Sequence, residues 1–214
     1  PMVFPQILKH LKRLGHDSFL LAGPRVIYID PWKLQGDLPA ADLVLVTHDH
    51  FDHCSPEDVA KISKAETVVI ANPAAAQKLA GVRVLRPGET LTVGDVTVTA
   101  VPAYNTNKFR SPGQPFHPKD AQGNGYVIEV GGEALYHAGD TDHIPEMATL
   151  DVTVALLPVS GTYVMTAAEA AEAAKAIRAD VFVPMHYGDI VGGAADVALF
   201  RSLCEQAGLR VAVV

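Results

Sequence analysis

The six residues His48-Asp49-His50-Phe51-Asp52-His53 hold three of the chain's nine histidines and two carboxylates. They follow directly on the apolar run Leu43–Thr47. In an extended loop, residues two apart point the same way. His48 and His50 can therefore offer two imidazoles to one cation. Asp52 and His53 lie where the chain turns toward Ser55, and that turn can aim a carboxylate and a third imidazole at an adjacent second position. A mixed imidazole and carboxylate set suits zinc, iron or manganese, and the lack of a cysteine cluster argues against a structural zinc knot. The cluster leaves both positions short of ligands, so others must come from elsewhere. Asp140, in Ala-Gly-Asp-Thr-Asp, follows a strand ending at His137, and Gly139 would let the backbone approach closely. His186, in Val-Pro-Met-His-Tyr-Gly, also follows a strand. All three elements put their side chains at strand C-termini, where sites of α/β proteins collect.

The elements that must carry these residues can be read along the chain. Ser18–Ala22 and Val26–Asp30 flank Gly23-Pro24 as a hairpin. Leu43–Thr47 and Thr67–Ala71 read as strands buried on both faces. Ser55-Pro56-Glu57-Asp58 opens a helix with an N-cap serine, a proline at the first position and acids on the dipole. Asn72-Pro73 starts an Ala-rich helix ending near Gly81. Leu91–Val93 with Val96–Val101, and Tyr126–Val130 with Ala134–His137, form hairpins across Gly94-Asp95 and Gly131-Gly132. Val152–Pro158 and Val181–Pro184 are strands. Thr166 and Glu169 form a capping box before an Ala-rich helix. A helix from Asp196 to Ala207 stops at Gly208, and a strand Val211–Val214 closes the chain. This grammar predicts one domain over 1–214 built as two similar halves, about 1–90 and 91–214. Two mixed sheets flanked by helices would form a four-layer αββα sandwich. The segment from Tyr104 to Asn124 reads as a long polar loop, and loops of that length are usually functional.

With these pieces in view, the chain resembles the metallo-β-lactamase fold superfamily of metal-dependent hydrolases. The motifs that carry the resemblance are THDHFDH (Thr47–His53), AGDTD (Ala138–Asp142) and PMHYG (Pro184–Gly188). GHDSF (Gly15–Phe19) and YIDPW (Tyr28–Trp32) resemble the branch that contains the L-ascorbate-6-phosphate lactonase and the N-acylphosphatidylethanolamine phospholipase D. The resemblance implies the same αββα fold and one or two divalent cations, zinc first, with manganese or iron as alternatives. His48 and His50 would bind the first cation and Asp52, His53 and His186 the second, with Asp140 between them. The cations would activate a water as hydroxide, and Asp52 would orient this nucleophile, which is its catalytic role. The bond cleaved would be of ester type (phosphoester, phosphodiester or lactone) in a small anionic substrate. Lys108, Arg110 and Lys119 are cations available to it.

The chain departs from the pattern at one point. Such hydrolases carry a further first-position histidine after the strand equivalent to Val96–Val101, where this chain has Tyr104-Asn105-Thr106-Asn107. Three readings follow: His117 reaches back from the long loop, Asn105 ligates weakly or through water, or the first position is weak and the centre mononuclear. His16 sits in a Gly-flanked turn, either near the metals or as a structural turn residue. His137 reads as a packed residue whose ring N–H fixes a ligand. His143 and His10 read as outside the site, and Thr162 and Tyr163 as loop residues able to meet a substrate.

Composition limits the alternatives. Twenty-four acidic against seventeen basic residues give a net charge of −7. That balance opposes a nucleic-acid partner, including a nuclease of this fold, because such binders need a basic footprint. No apolar run is long enough to span a membrane. Cys54 and Cys204 read as free thiols of a cytoplasmic protein. A di-iron redox protein and a non-catalytic metal binder remain as alternatives to the hydrolase.

Overall fold

The structure, a computed structural model, describes residues 5–214. A one-turn helix α1 (Gln6–Lys9) precedes the first sheet, whose strands are β1 (Leu11–Gly15), β2 (Ser18–Ala22), β3 (Val26–Ile29), β4 (Leu43–Val46), β5 (Val68–Ala71) and β6 (Val82–Val84), in that spatial order. The β1–β2–β3 part is antiparallel and the β3–β4–β5–β6 part parallel. Helices α2 (Pro56–Ile62) and α3 (Pro73–Ala76) connect the parallel strands. The second sheet runs β14-β13-β12-β11-β8-β7. Its antiparallel part joins β7 (Thr90–Val93), β8 (Val96–Pro102), β11 (Asn124–Val130) and β12 (Glu133–His137). Its parallel part adds β13 (Asp151–Pro158) and β14 (Arg178–Met185), with α4 (Ala167–Ala176) between them and α5 (Ala194–Gln206) packed on α4. Between β8 and β11 lies a small hairpin, β9 (Phe109–Ser111) and β10 (Gln114–Pro115).

Alternation in the first sheet explains the layers. Phe19, Leu21, Ile27, Ile29, Leu43, Leu45 and Ile70 enter the core shared with the second sheet. Their neighbours Leu20, Tyr28, Val44, Val46, Val69 and Ala71 face the other way, onto Val59 and Ile62 of α2 and Ala75 of α3. Strands buried on both faces leave no room for polar alternation, which is why Leu43–Val46 is apolar throughout. The second sheet contributes Val96, Val98, Tyr126, Ile128 and Leu135 to the shared core, and α4 adds a row of buried alanines. The result is the expected αββα sandwich. Among the described residues no helix is long and apolar enough to cross a membrane.

Several elements differ from the sequence reading. Leu11–Gly15 and Val82–Val84 are edge strands whose short, charged sequences carry no clear β signal. The helix at Pro73 is a single turn. The helix capped by Thr166 ends at Ala176, and Arg178 already begins β14. Helix α5 starts at Ala194, with Asp196 Oδ2 accepting from the Gly193 amide at 2.8 Å. Val211–Val214 forms no strand: Val211 makes an isolated bridge to Phe182 and the rest is irregular. Tyr104–Asn124 is not structureless, since it holds β9, β10 and a 3-10 turn at Lys119–Ala121.

Candidate metal centre

The sheets are stitched together where β4 ends. Tyr126 Oη donates to the Val46 carbonyl at 2.7 Å, and the Asn124 amide donates to the Thr47 carbonyl at 2.9 Å. The His48–His53 loop starts at this seam and closes through the His53 and Cys54 amides, which both donate to the His50 carbonyl at 3.0 and 2.8 Å. Asp30, buried just past β3, braces the loop. It accepts from the Thr47 amide (2.8 Å), Thr47 Oγ1 (2.7 Å) and His53 Nδ1 (2.8 Å). With its own hydrogen given to Asp30, Thr47 Oγ1 accepts from His48 Nδ1 at 2.8 Å. Both histidines are thereby held through Nδ1, which leaves Nε2 buried without a hydrogen-bond partner.

The Asp140 turn is as tightly made. Gly139 has φ +65°, and a Cβ there would lie 2.5 Å from the Asn124 carbonyl oxygen. His137, fully buried, accepts from the Gly139 amide at Nδ1 (3.1 Å) and donates from Nε2 to the Asp17 carbonyl (3.0 Å). It therefore holds main chain rather than a ligand side chain. Gly139→Ala combines a left-handed backbone with a backbone clash. It should cost at least about 2 kcal/mol of stability, read as a lowered denaturant midpoint; an unchanged midpoint would contradict this role for the glycine.

The long loop brings His117 back to the site. Asn105 Oδ1 accepts from both the His117 amide (2.7 Å) and His117 Nδ1 (2.9 Å). Its Nδ2 donates to the Tyr163 carbonyl (2.9 Å) and Asp142 Oδ2 (3.2 Å). Asn105 thus orients His117, and its only side-chain oxygen is already engaged. Asp142 also accepts from the Thr106 and Asn107 amides at 2.8 and 3.2 Å, and from Lys108 Nζ at 2.9 Å. Lys108 reaches Glu169 Oε1 at 2.8 Å as well. Partial burial raises the Glu169 carboxyl, but Lys108 and Asn107 outweigh it and bring it to about 2.

These contacts correct one expectation. The Lys108 charge is spent on two carboxylates. Lys119 lies 3.7 Å from Glu146 and over the Tyr104 ring, and Arg110 lies over Phe116.

His186 follows β14 with φ +61°, and its Nδ1 lies 2.9 Å from Ser160 Oγ. Around Asp140, the Nε2 atoms of His53, His117 and His186 stand 3.2, 3.1 and 3.3 Å from its carboxylate oxygens, and that of His48 stands 3.6 Å away. His50, half-buried, has its ring centroid 4.7 Å from that of His48 and 4.9 Å from that of His117. Asp52 Oδ2 lies 3.2 Å from His53 Nε2 and 2.8 Å from His16 Nε2. Donor atoms of His48, His50, His117 and Asp140 lie within 4.8 Å of one another, as do those of His16, Asp52, His53 and His186. All seven residues singled out from the sequence therefore converge. His143 and His10 are exposed and lie outside both groups. A narrow cleft of about 70 Å³, lined by His48, His50, Phe116, His117 and Asp140, opens onto the site.

The Nε2 atoms of His48, His53, His117 and His186 are all buried without a hydrogen-bond partner, as is Asp140 Oδ1. Buried polar atoms are nearly always satisfied. Four bare nitrogens converging on one carboxylate, each braced at Nδ1, form a donor set that fits a divalent cation. The electrostatics agree. Burial opposes a charged His53, yet Asp140, Asp30 and Asp52 hold its pKa well above the usual histidine value. Burial and the neighbouring His53 push His48 well below it. The carboxylates that favour positive charge on His53 would equally favour the charge of a cation.

Three contributors were missed or underweighted at the sequence level. Asp30 stands at a strand end as Asp140 does, which was an available signal. His16 is fully buried within the cluster. Asp17, also fully buried, has neither carboxylate oxygen bonded, and burial raises it to about 7.

Residues 10–186 match the profile of a family described as the Beta-lactamase superfamily domain. The chain is 38% identical over 208 residues to a UPF0173 metal-dependent hydrolase of Methanoculleus marisnigri, covering 94% of this chain and 91% of that one. A crystal structure of a Parabacteroides distasonis protein is similar with TM-score 0.85 and 34% identity, over 95% of this chain and 91% of that one. Igni18, a metallo hydrolase of Ignicoccus hospitalis, is similar with TM-score 0.75 and 26% identity, over 95% and 94% of the two chains.

Proposed function

The chain belongs to the beta-lactamase superfamily and is a metal-dependent hydrolase, and we propose that its centre has two adjacent cation positions. His48, His50 and His117 hold the first and Asp52, His53 and His186 the second, with Asp140 shared. The observation that carries this reading is the set of four buried, unpartnered Nε2 atoms around Asp140. Zinc suits the donor set, with manganese and iron next. Bound cations supply Lewis acidity and an activated water. The chain's own residues do the rest. Asp30 and Thr47 fix the imidazoles of His53 and His48, Asn105 fixes His117, and Asp52 orients the nucleophile. The substrate is a small molecule with an ester-type bond (phosphoester, phosphodiester or lactone). With Lys108 neutralised, Arg110 is the loop cation left to meet an anionic group. The acidic balance disfavours nucleic acid, and the two buried free thiols fit a cytoplasmic protein.

The test measures metal per chain and hydrolysis of generic phosphodiester and lactone substrates. His48→Ala, His186→Ala and His117→Ala are each expected to lose metal and to reduce turnover about a hundredfold or more. Full metal content in the first two would overturn the ligand assignment. Full content in His117→Ala would remove that residue alone.

A further inference from the structure

His16 differs from the other buried histidines of the centre. Each of His48, His53, His117 and His186 braces Nδ1 and leaves Nε2 bare. In His16 the pattern is reversed: Nε2 is engaged with Asp52 Oδ2 at 2.8 Å, and Nδ1 is the unpartnered atom. A carboxylate offers only lone pairs, so Nε2 carries the hydrogen and donates it. A ligating imidazole turns a bare nitrogen to its metal and ties the other one down. His16 turns its N–H to a proposed ligand instead.

The backbone at this position is equally unusual. His16 has φ +50° and follows Gly15 at φ +116°. The turn is held on several sides. Arg13 Nε donates to the His16 carbonyl at 3.1 Å, and the same carbonyl accepts from the His186 amide at 3.4 Å. The His16 ring centroid lies 4.2 Å from that of His186 and 5.5 Å from that of Trp32. One residue therefore touches two candidate ligands that come from different sheets. Its side chain holds Asp52, after β4, and its carbonyl holds His186, after β14. Strained backbone persists where the surroundings over-determine it, and it concentrates at functional sites.

We propose that His16 is the positioning residue of the second cation position, fixing the plane of the Asp52 carboxylate through Nε2–H while its carbonyl sets the His186 loop. This rests on the metal-centre reading above. The bond to one carboxylate oxygen restricts how Asp52 can rotate. The position is thereby preorganised, and less ordering is left to the cation.

Two substitutions separate the bond from the backbone. Asparagine accepts a left-handed φ better than most residues, but its short amide cannot reach Asp52. Glutamine fits that φ less well, but its amide N–H can stand near the place of Nε2. Metal per chain is measured against a zinc buffer series for wild type, His16→Asn and His16→Gln, with the thermal midpoint of each metal-free chain and the kcat and KM of any hydrolysed substrate. His16→Asn should retain the first cation and weaken the second about 10- to 100-fold, with kcat falling more than KM changes. His16→Gln should restore second-cation affinity close to wild type. An asparagine variant equal to wild type would overturn the proposal. So would equal loss of the second cation in both variants at an unchanged metal-free midpoint, since His16 would then coordinate the metal itself. A wild type that binds fewer than two cations would instead overturn the reading of the centre on which this proposal depends.

Discussion

Asp140→Ala is expected to abolish binding of both cations and to reduce hydrolysis about a thousandfold, equivalent to about 4 kcal/mol of transition-state stabilisation. Among the described residues its carboxylate stands within 3.6 Å of His48, His53, His117 and His186 together. Removing it takes away a ligand from each proposed position. It also removes the buried negative charge that, with Asp30 and Asp52, favours charge on His53. The same logic gives a stability signature for the wild type. A cation that binds only the folded chain stabilises it by about 4 kcal/mol at a thousand times its Kd. For a chain of this length that is a thermal midpoint lowered by about 10 °C on chelation. Asp140→Ala should start low and respond little to chelator. A wild-type midpoint indifferent to chelator, or an Asp140→Ala chain with full metal content, would refute the shared-ligand role.

The second large effect belongs to Asp142, two residues on and outside the proposed ligand set. Asp142→Ala should lower stability by about 3–5 kcal/mol, the usual cost of removing one partner from a buried ion pair. It leaves Lys108 with the Glu169 carboxylate and the Asn107 side-chain oxygen, and strips the Thr106 and Asn107 amides and Asn105 Nδ2 of an acceptor. Because Asn105 sets His117, the first cation's affinity should also fall, about 10- to 100-fold, with the second cation kept. Calorimetry and metal titration read the two effects separately. An unchanged midpoint would show that the loop is held by other means. A lower midpoint with both cations bound normally would show that Asn105 holds His117 without Asp142.

How much of this was visible in the sequence depended on whether the signal was local. The strand Leu43–Val46 and the cluster after it announce themselves through an apolar run and an H-x-H-x-D-H spacing, both short-range patterns. Asp140 and His186 were legible by their place after strands. The bracing was not. That Asp30 serves His53 and Ser160 serves His186 depends on which strand ends the sheets bring side by side, and Asn105 meets His117 only because the Tyr104–Asn124 segment folds back on itself, which no local periodicity signals. Asn105 itself read as a possible weak ligand because its type permits that role; that its Oδ1 instead takes both His117 N–H groups was not visible in the sequence. The edge strands β1 and β6 were missed for a related reason. Neither shows a clear buried/exposed alternation (β1 is mostly half-buried and β6 mostly exposed), so pairing with a neighbour makes them strands. Lys108 looked available to a substrate because loop cations usually are, and the carboxylates that neutralise it lie far along the chain.

The donors of the proposed centre come from both sheets, and this gives the chain a timetable. Synthesis delivers the N-terminal part first, at about 5–20 residues per second. His48, His50, Asp52 and His53 leave the ribosome with Asp30 and Thr47 close by, so the first sheet can present four donors early. Each cation position still lacks a partner until the second sheet arrives: His117 from the loop before β11, Asp140 after β12, and His186 only after β14. On that reading a growing chain carries an incomplete donor set through most of its translation. It becomes a closed site only when the last strand of the second sheet is laid down.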